Sequence, residues 1–125
     1  MEQHKAWLFK AENDLKSAKK LMEGNAPVPD TAIYHAQQCA EKALKAYLSF
    51  KQRPAQWTHD VAYLVELCSE IDESFNQLLD DAKILTPYST AFRYPDIILE
   101  PDLEDVFEAI DRAAKVLSFS KTMIG

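Results

Sequence analysis

Apolar residues recur every three or four positions through most of this chain, and this spacing limits it to helices. In the first segment, from about His4 to Glu23, they are Trp7, Leu8, Ala11, Leu15, Ala18, Leu21 and Met22. Residues three and four apart lie on one face of an α-helix. The 125 residues include only two glycines, whereas an all-β domain needs many tight turns, which glycine usually supplies. The pattern therefore predicts an all-α fold.

The second segment, from about Asp30 to Lys51, is rich in alanine on its apolar side. Asp30 is its expected N-cap. Its apolar positions are Ala32, Ile33, Ala36, Cys39, Ala40, Ala43, Leu44, Tyr47 and Leu48. Because small side chains let a neighbouring helix approach closely, we expect this helix at the centre of the fold.

Two shorter helices are expected next. Thr58 is the predicted cap of a third helix, which ends near Ile71. Ser74 and Gln77 have the spacing of a capping box and are expected to open a fourth helix. Pro87 interrupts that helix, because proline lacks the backbone N–H that a helix needs.

A last helix is expected to begin at residues 100–102, where proline and two acids follow one another. It runs to about Lys121, and its predicted inward positions include Leu103 and Phe107. Long amphipathic helices with short connections form bundles. The sequence thus predicts one domain over residues 1–125, an antiparallel up-down bundle of four or five helices.

Charge is distributed unevenly along the chain. The net charge is −6, but residues 1–53 carry +3 and residues 54–125 carry −9. An acidic total is a poor match for bulk electrostatic binding of nucleic acid. A local basic strip along the first two helices remains open, as does the alternative that these are ordinary solvated faces. The two halves could also complement each other across a homodimer.

Cysteine usage and hydropathy indicate a cytoplasmic protein without a metal site or cofactor. Cys39 and Cys68 lie in apolar helical patterns, with no Cys-x-x-Cys or Cys/His cluster of the zinc-binding kind. Buried thiols suit a reducing cytosol. No apolar run approaches the roughly 20 residues that cross a membrane. Phosphate-loop and hydrolase motifs are absent, so the residues by themselves establish no enzyme.

A polar stripe follows the second helix beside its alanines. Its members, flanked by His35 and Gln37, are Tyr34, Gln38, Glu41, Lys42 and Lys45. Glu41 and Lys45 have the spacing of an ion pair along the helix. The stripe is either a solvated face or, next to a central surface, a set of groups that line a cleft or satisfy one another.

Two further groups could carry chemistry. His59 lies near a helix start and could act as a base or pack in the first turn. Arg93 lies with Tyr88 and Tyr94 in an irregular segment between two helices. Arginine commonly pairs with phosphate or carboxylate, and tyrosine offers a stacking face. Alternatively, Arg93 ties its loop to helix-terminal carbonyls or to Asp96.

The second helix carries a pattern that resembles a known family. An aromatic residue and His-Ala-Gln-Gln precede Glu-Lys, which is followed by Leu-Lys, within residues 30–46. Matching features follow in order elsewhere: Trp7, Ala11, Asp14, Leu15, Ala18, Pro54, Thr58, His59, Asp60, Leu64, Arg93, Tyr94, Pro95, Asp96, Glu104 and Asp105. The chain is similar to small prokaryotic HEPN proteins over roughly residues 5–120.

This resemblance implies an antiparallel helical bundle that is usually dimeric. Such proteins are often encoded beside a minimal nucleotidyltransferase, and the pair is described as a toxin–antitoxin module. The leading hypothesis is a module without strong catalysis that binds a nucleotide, a minimal nucleotidyltransferase, or both. The predicted ligand-binding residues are Tyr34, Gln38, Lys42, Lys45, Arg93 and Tyr94.

The resemblance also carries two alternatives. Some HEPN branches are metal-independent ribonucleases, with an Arg and a His a few residues apart near a late helix. No histidine follows Arg93, whereas Arg53 and His59 have five residues between them but lie after the second helix. An endoribonuclease toxin would use His59 as base, with Arg53 or Arg93 stabilising the phosphate. A purely structural dimerisation partner is the second alternative.

Overall fold

The protein is an all-α, antiparallel up-and-down bundle, as the sequence predicted. The computed structural model describes residues 2–54, 56–95 and 99–125, and no strand occurs among them. The α-helices are α1 (Gln3–Leu21), α2 (Pro29–Phe50), α3 (Val61–Ile71), α4 (Leu79–Leu85) and α5 (Leu103–Ile124). Two short 3-10 helices, Glu73–Leu78 and Thr86–Ser89, flank α4. None of the described helices has the length and apolarity that crossing a bilayer requires.

Helix α2 lies at the centre of the bundle, which confirms the prediction from its alanines. It packs against α1 and α5 along much of its length and also contacts α3. Ala32, Ala36, Ala40 and Ala43 are completely buried. Since a methyl group keeps the neighbouring backbones close, these positions give α2 a tightly packed side towards the other helices.

The predicted N-cap of α2 is wrong by two residues. Val28 is the N-cap, and Pro29 is the first helical residue. Proline suits that position because its φ is already helical and the N–H that it lacks would have no partner there. The Asp30 carboxylate instead accepts a hydrogen bond from the backbone N–H of Thr31, at 2.7 Å.

The predicted cap of α3 is also wrong. Asp60 is the N-cap, and its carboxylate accepts from the N–H of Tyr63 at 3.1 Å. Thr58 lies two residues earlier, where its hydroxyl accepts from the N–H of Asp60. Both residue types cap helices, so local preference alone did not decide between them.

The capping box predicted at Ser74 is wrong as well, because Asp72 takes the capping role. The Asp72 carboxylate accepts both from the N–H of Ser74 at 3.0 Å and from its hydroxyl at 2.6 Å. The Gln77 amide donates to the Ser74 carbonyl rather than reaching back to a helix start. A 3-10 helix follows Asp72, and the α-helix begins only at Leu79.

Helix α5 buries a narrower arc than predicted. Leu103 and Phe107 are about half exposed, at 49% and 51%, so their predicted inward positions are wrong. Val106, Ala109 and Ala113 form the middle of the buried arc. Phe107 lies roughly 100° around the helix from Val106, since successive residues turn by that angle, and this places it on the flank.

Candidate functional site

The polar stripe of α2 is largely buried. Gln37 is completely inaccessible, Gln38 and Glu41 are 7% and 3% exposed, and the nearby Asp14 of α1 is 7% exposed. Buried polar groups need partners because an unpaired one loses the hydrogen bonds that water gave it. The stripe meets this requirement internally, which confirms the expectation that its groups satisfy one another. They do so in two clusters.

The first cluster, called here the Asp14 cluster, consists of Asp14, His35 and Lys42. One carboxylate oxygen of Asp14 lies 2.8 Å from Nδ1 of His35, and the other lies 2.7 Å from Nζ of Lys42. The carboxylate comes from α1 and both partners come from α2, so the cluster links the two helices. Because Nδ1 of His35 is turned to Asp14, Nε2 is the ring nitrogen left for another partner.

The second cluster, the Glu41 cluster, consists of Glu41, His59 and Lys45. Oε1 of Glu41 lies 2.8 Å from Nδ1 of His59, and Oε2 lies 2.9 Å from Nζ of Lys45. The Glu41–Lys45 pair predicted from spacing is thereby confirmed. The Gln37 amide donates both to Glu41 and to the backbone carbonyl of His59, while the Gln38 amide donates to Gln37 at 2.7 Å.

Hydrogen bonding keeps Glu41 ionised despite its burial. Burial by itself raises the pKa of this carboxyl, but the hydrogen bonds from Lys45, His59 and Gln37 outweigh it and hold the pKa below its ordinary value. A carboxylate can only accept, so Nδ1 of His59 is the donor. The His59 imidazole is therefore held in one orientation while its side chain remains 70% exposed.

An open groove lies where the start of α2 faces the loop after α4. The groove has a volume of about 320 Å³. Cζ of Arg93 lies 3.8 Å from the ring centroid of Tyr34, so the guanidinium covers the face of that ring. This space, called here the Arg93 groove, is lined by Asp30, Thr31, Tyr34, His35, Phe92 and Arg93.

Phe92 holds the loop in an unusual backbone conformation next to Arg93. Its φ of 68° lies in the left-handed region, which a bulky side chain rarely adopts. The ring is stacked on Tyr88, with centroids 6.3 Å apart, and packs against the core. The strained turn and the anchored ring together fix the position at which the chain presents Arg93.

Comparison with known proteins identifies the family. The sequence profile of the HEPN domain matches residues 4–123. The chain belongs to the HEPN domain family. The Methanocaldococcus jannaschii protein "Putative toxin MJ1304" is 29% identical, covering 96% of this chain and 87% of that protein.

Two crystal structures resemble this HEPN domain closely. "ST0689, an archaeal HEPN homologue" has a TM-score of 0.76 and 28% identity, with both chains covered completely. The protein TT1696 from Thermus thermophilus has a TM-score of 0.80 and 29% identity over 98% of each chain. The helical bundle described above is therefore the fold of these two structures as well.

The structure brings some of the predicted ligand residues of this HEPN domain together and separates others. Tyr34 and Arg93 meet in the Arg93 groove. Tyr94 is exposed and lines an adjoining hollow to which Arg93 also contributes. Gln38 and Lys42 are engaged in the polar clusters. The tie from Arg93 to Asp96 lies outside the described residues.

Lys45 lies in a different place from the Arg93 groove. Its Nζ is 5.5 Å from the ring centroid of Trp7 on α1. Together with Arg53 it lines a small hollow of about 50 Å³ between α1 and the end of α2. Of the residues proposed for a nuclease, Arg53 and Arg93 thus line different hollows, and His59 precedes the Asp60 cap of α3.

Asp14 and His35 are site residues that the sequence interpretation missed. Asp14 lies three residues after Ala11 and four before Ala18, both completely buried, so it shares the inward face of α1. A carboxylate in that position needs a buried partner, and this was the available signal. His35 was noted only as flanking the stripe, because spacing does not reveal what a neighbouring loop brings near it.

The two cysteines have structural surroundings. Their thiols lie within hydrogen-bonding distance of the carbonyls of Ala113 and Leu44, respectively. Burial raises the pKa of Cys39 and of Cys68 to about 12, so neither forms a thiolate near neutral pH. The described part of the chain also contains no group of three or more His, Cys, Asp and Glu side chains that could hold a metal ion.

Proposed function

We propose that this HEPN domain is a toxin-like module that binds a nucleotide through its phosphate in the Arg93 groove. The observation that carries the proposal is the Arg93 guanidinium on the face of Tyr34, in a groove of about 320 Å³. Small-molecule sites typically have volumes of about 300–1,000 Å³. The space therefore suits a mononucleotide better than a long polymer.

The chemistry of the two residues supports this choice of ligand. Guanidinium uses its flat face to stack and its N–H edge to bind phosphate, so Arg93 can rest on Tyr34 and still bind an anion. Thr31 adds a hydroxyl to the lining, and Tyr94 offers an exposed ring beside the groove. Stacking of a base on an aromatic side chain contributes about 1–3 kcal/mol in single-strand sites.

We also propose a homodimer that pairs with a minimal nucleotidyltransferase as a toxin–antitoxin-like system. The family resemblance supports this partner, and the toxin name of the Methanocaldococcus relative is consistent with it. The test is whether the neighbouring gene encodes a small nucleotidyltransferase and whether that enzyme co-purifies with this protein after co-expression, with light scattering to measure the mass. A protein that is monomeric at micromolar concentration and does not bind this enzyme would contradict both the homodimer and the partner.

Binding of AMP and ATP to an Arg93→Ala variant tests the nucleotide proposal. A charge-assisted hydrogen bond contributes about 1.5–3 kcal/mol, so we expect affinity to fall about 10- to 150-fold by calorimetry. The melting temperature should change little, because the side chain is exposed. Lys83→Ala removes an equally exposed charge on α4 and is the matched control. A lower melting temperature with unchanged affinity would make Arg93 a structural tie.

A second candidate function is metal-independent RNA cleavage, favoured by one observation. Glu41 orients the exposed imidazole of His59, and a carboxylate in that role prepares a histidine to act as a base. Arg53 or Arg93 would then stabilise the charged phosphate. Purified protein incubated with RNA in chelator tests this. Cleavage that survives His59→Ala, or that requires a metal, would reject this mechanism. A protein that dimerises but neither cleaves RNA nor binds a nucleotide would instead be a structural dimerisation partner.

A further inference from the structure

We propose that His35 is a second phosphate-binding residue of the Arg93 groove, that Asp14 is its positioning residue, and that phosphate binding there is accompanied by proton uptake. The proposal rests on the proposed nucleotide function and deepens it. His35 and Arg93 line the same groove. The imidazole and the Tyr34 ring are 5.6 Å apart, edge to face. Arg93 and His35 thus both lie next to the Tyr34 ring.

The orientation of His35 is fixed from behind. Nδ1 lies 2.8 Å from Asp14, whose side chain is 10% exposed and comes from α1. With Nδ1 committed to the carboxylate, the remaining ring nitrogen, Nε2, is the atom that can meet a ligand. In the neutral ring Nε2 carries a lone pair, which is repelled by the oxygens of a phosphate. Protonation turns it into a donor that faces an anion.

The charges around His35 decide the sign of this response. Asp14 of α1 favours the protonated ring, Lys42 of α2 pairs with the other oxygen of Asp14 and opposes it, and Arg93 of the loop also opposes it. Asp30 of α2 lines the groove and favours the protonated ring. A bound phosphate would offset Arg93 and so favour proton uptake at His35. The contribution of His35 to affinity should therefore rise as pH falls.

The test is calorimetric titration of AMP between about pH 8 and pH 5.5, in two buffers of different ionisation enthalpy, which reports protons taken up. As pH falls, the phosphate of AMP loses its second negative charge near pH 6. Because this change affects both proteins equally, the informative quantity is the ratio of wild-type affinity to that of His35→Gln. We expect this ratio to increase about tenfold from the alkaline to the acid end, as a charge-assisted hydrogen bond predicts. Proton uptake should be lower for His35→Gln.

Asp14→Asn separates positioning from mere support of the fold. It should reduce the gain in affinity between pH 8 and pH 5.5, whereas a purely structural role would lower affinity by the same factor at every pH. The matched controls are Glu12→Gln, a half-exposed carboxylate of α1, and His4→Gln, a histidine that interacts with Glu2. Both should keep the wild-type pH profile.

The outcomes distinguish this inference from the function on which it rests. Wild type that binds AMP through Arg93, with a pH profile unaffected by His35→Gln, would overturn the role of His35 and leave the nucleotide proposal standing. An unchanged profile in Asp14→Asn would overturn the positioning role. Absence of AMP and ATP binding by wild type would overturn both the function and the inference.

Discussion

The Asp14 cluster and the Glu41 cluster are built alike but lie in different surroundings. In each, an imidazole Nδ1 lies 2.8 Å from one carboxylate oxygen and a lysine occupies the other. Asp14 reaches across from α1 and holds His35 at the wall of a 320 Å³ groove. Glu41 belongs to α2 itself and takes additional hydrogen bonds from Gln37 and Gln38. The hollow beside Lys45 measures only about 50 Å³.

The difference shows that similar polar groups can lie within the packed interior or at the wall of a groove, according to which elements pack next to them. Glu41 is surrounded by donors, although the His59 imidazole that it orients is 70% exposed. His35 of the Asp14 cluster is 28% exposed and lines the Arg93 groove. Three contrasts are expected, in decreasing size: between the two carboxylates, between Glu41 and an exposed glutamate in acid, and between two residues with left-handed backbone.

Neutralising the two carboxylates should destabilise the fold unequally. Glu41→Gln leaves Lys45, which is only 11% exposed, without its counter-charge, and loss of one partner of a buried pair costs about 3–5 kcal/mol. Asp14→Asn leaves Lys42, which at 23% exposed can reach water more easily, so about 1–3 kcal/mol is expected. Urea unfolding measures both. Equal losses of unfolding free energy would mean that the deeper burial of Lys45 does not make the Glu41 pair more important for stability.

Acid should weaken the Glu41 cluster. The pKa of the Glu41 carboxyl in the folded protein lies below its ordinary value of 4.5. As pH falls, this carboxyl is therefore protonated in unfolded chains before it is protonated in folded ones. The stabilisation is complete above that ordinary value and disappears as pH drops through the folded pKa. Unfolding free energy measured from about pH 6 to pH 3 should therefore fall less steeply in Glu41→Gln than in wild type. Glu66→Gln, on an exposed face of α3, should retain the wild-type slope.

The smallest effect concerns two residues with left-handed backbone, one at the end of α2 and one in the loop that lines the Arg93 groove. Gln52 has φ 58° at the end of α2, is exposed, and donates its N–H to Ser49. Glycine adopts this conformation without strain, so Gln52→Gly should stabilise by about 0.5–1 kcal/mol. Phe92→Gly releases similar strain but deletes a ring packed on the core, and it should destabilise. Thermal melts that move both variants in the same direction would contradict this contrast.

Local sequence signals predicted the elements better than their ends. The apolar period identified all of the long helices, and the alanines identified α2 as central, because burial of a helical stripe is dictated by spacing. The caps at Asp30, Thr58 and Ser74 were wrong. At Thr58 and Ser74 a neighbouring aspartate took the role, and differences of well under a few kcal/mol decide between such candidates. At Asp30 the helix begins one residue earlier, at Pro29, whose φ is already helical.

The candidate site was only partly predictable. Spacing placed Tyr34 and the lysines on one face and paired Glu41 with Lys45, since both relations are set within a single helix. Spacing could not assign Lys42 to Asp14, because those residues are 28 positions apart and meet only when α1 packs on α2. Whether the predicted ligand residues bind a nucleotide stays a prediction.

The sequence by itself therefore determined the helical class, the central helix, the polar stripe and the resemblance to the HEPN family. The tertiary structure decided how that stripe is used. It brought Asp14 and His59 to the stripe from other elements and carried Arg93 onto Tyr34. The physical reason is that a helix period fixes the direction of each side chain, whereas its partner depends on how helices and loops far apart in sequence pack together.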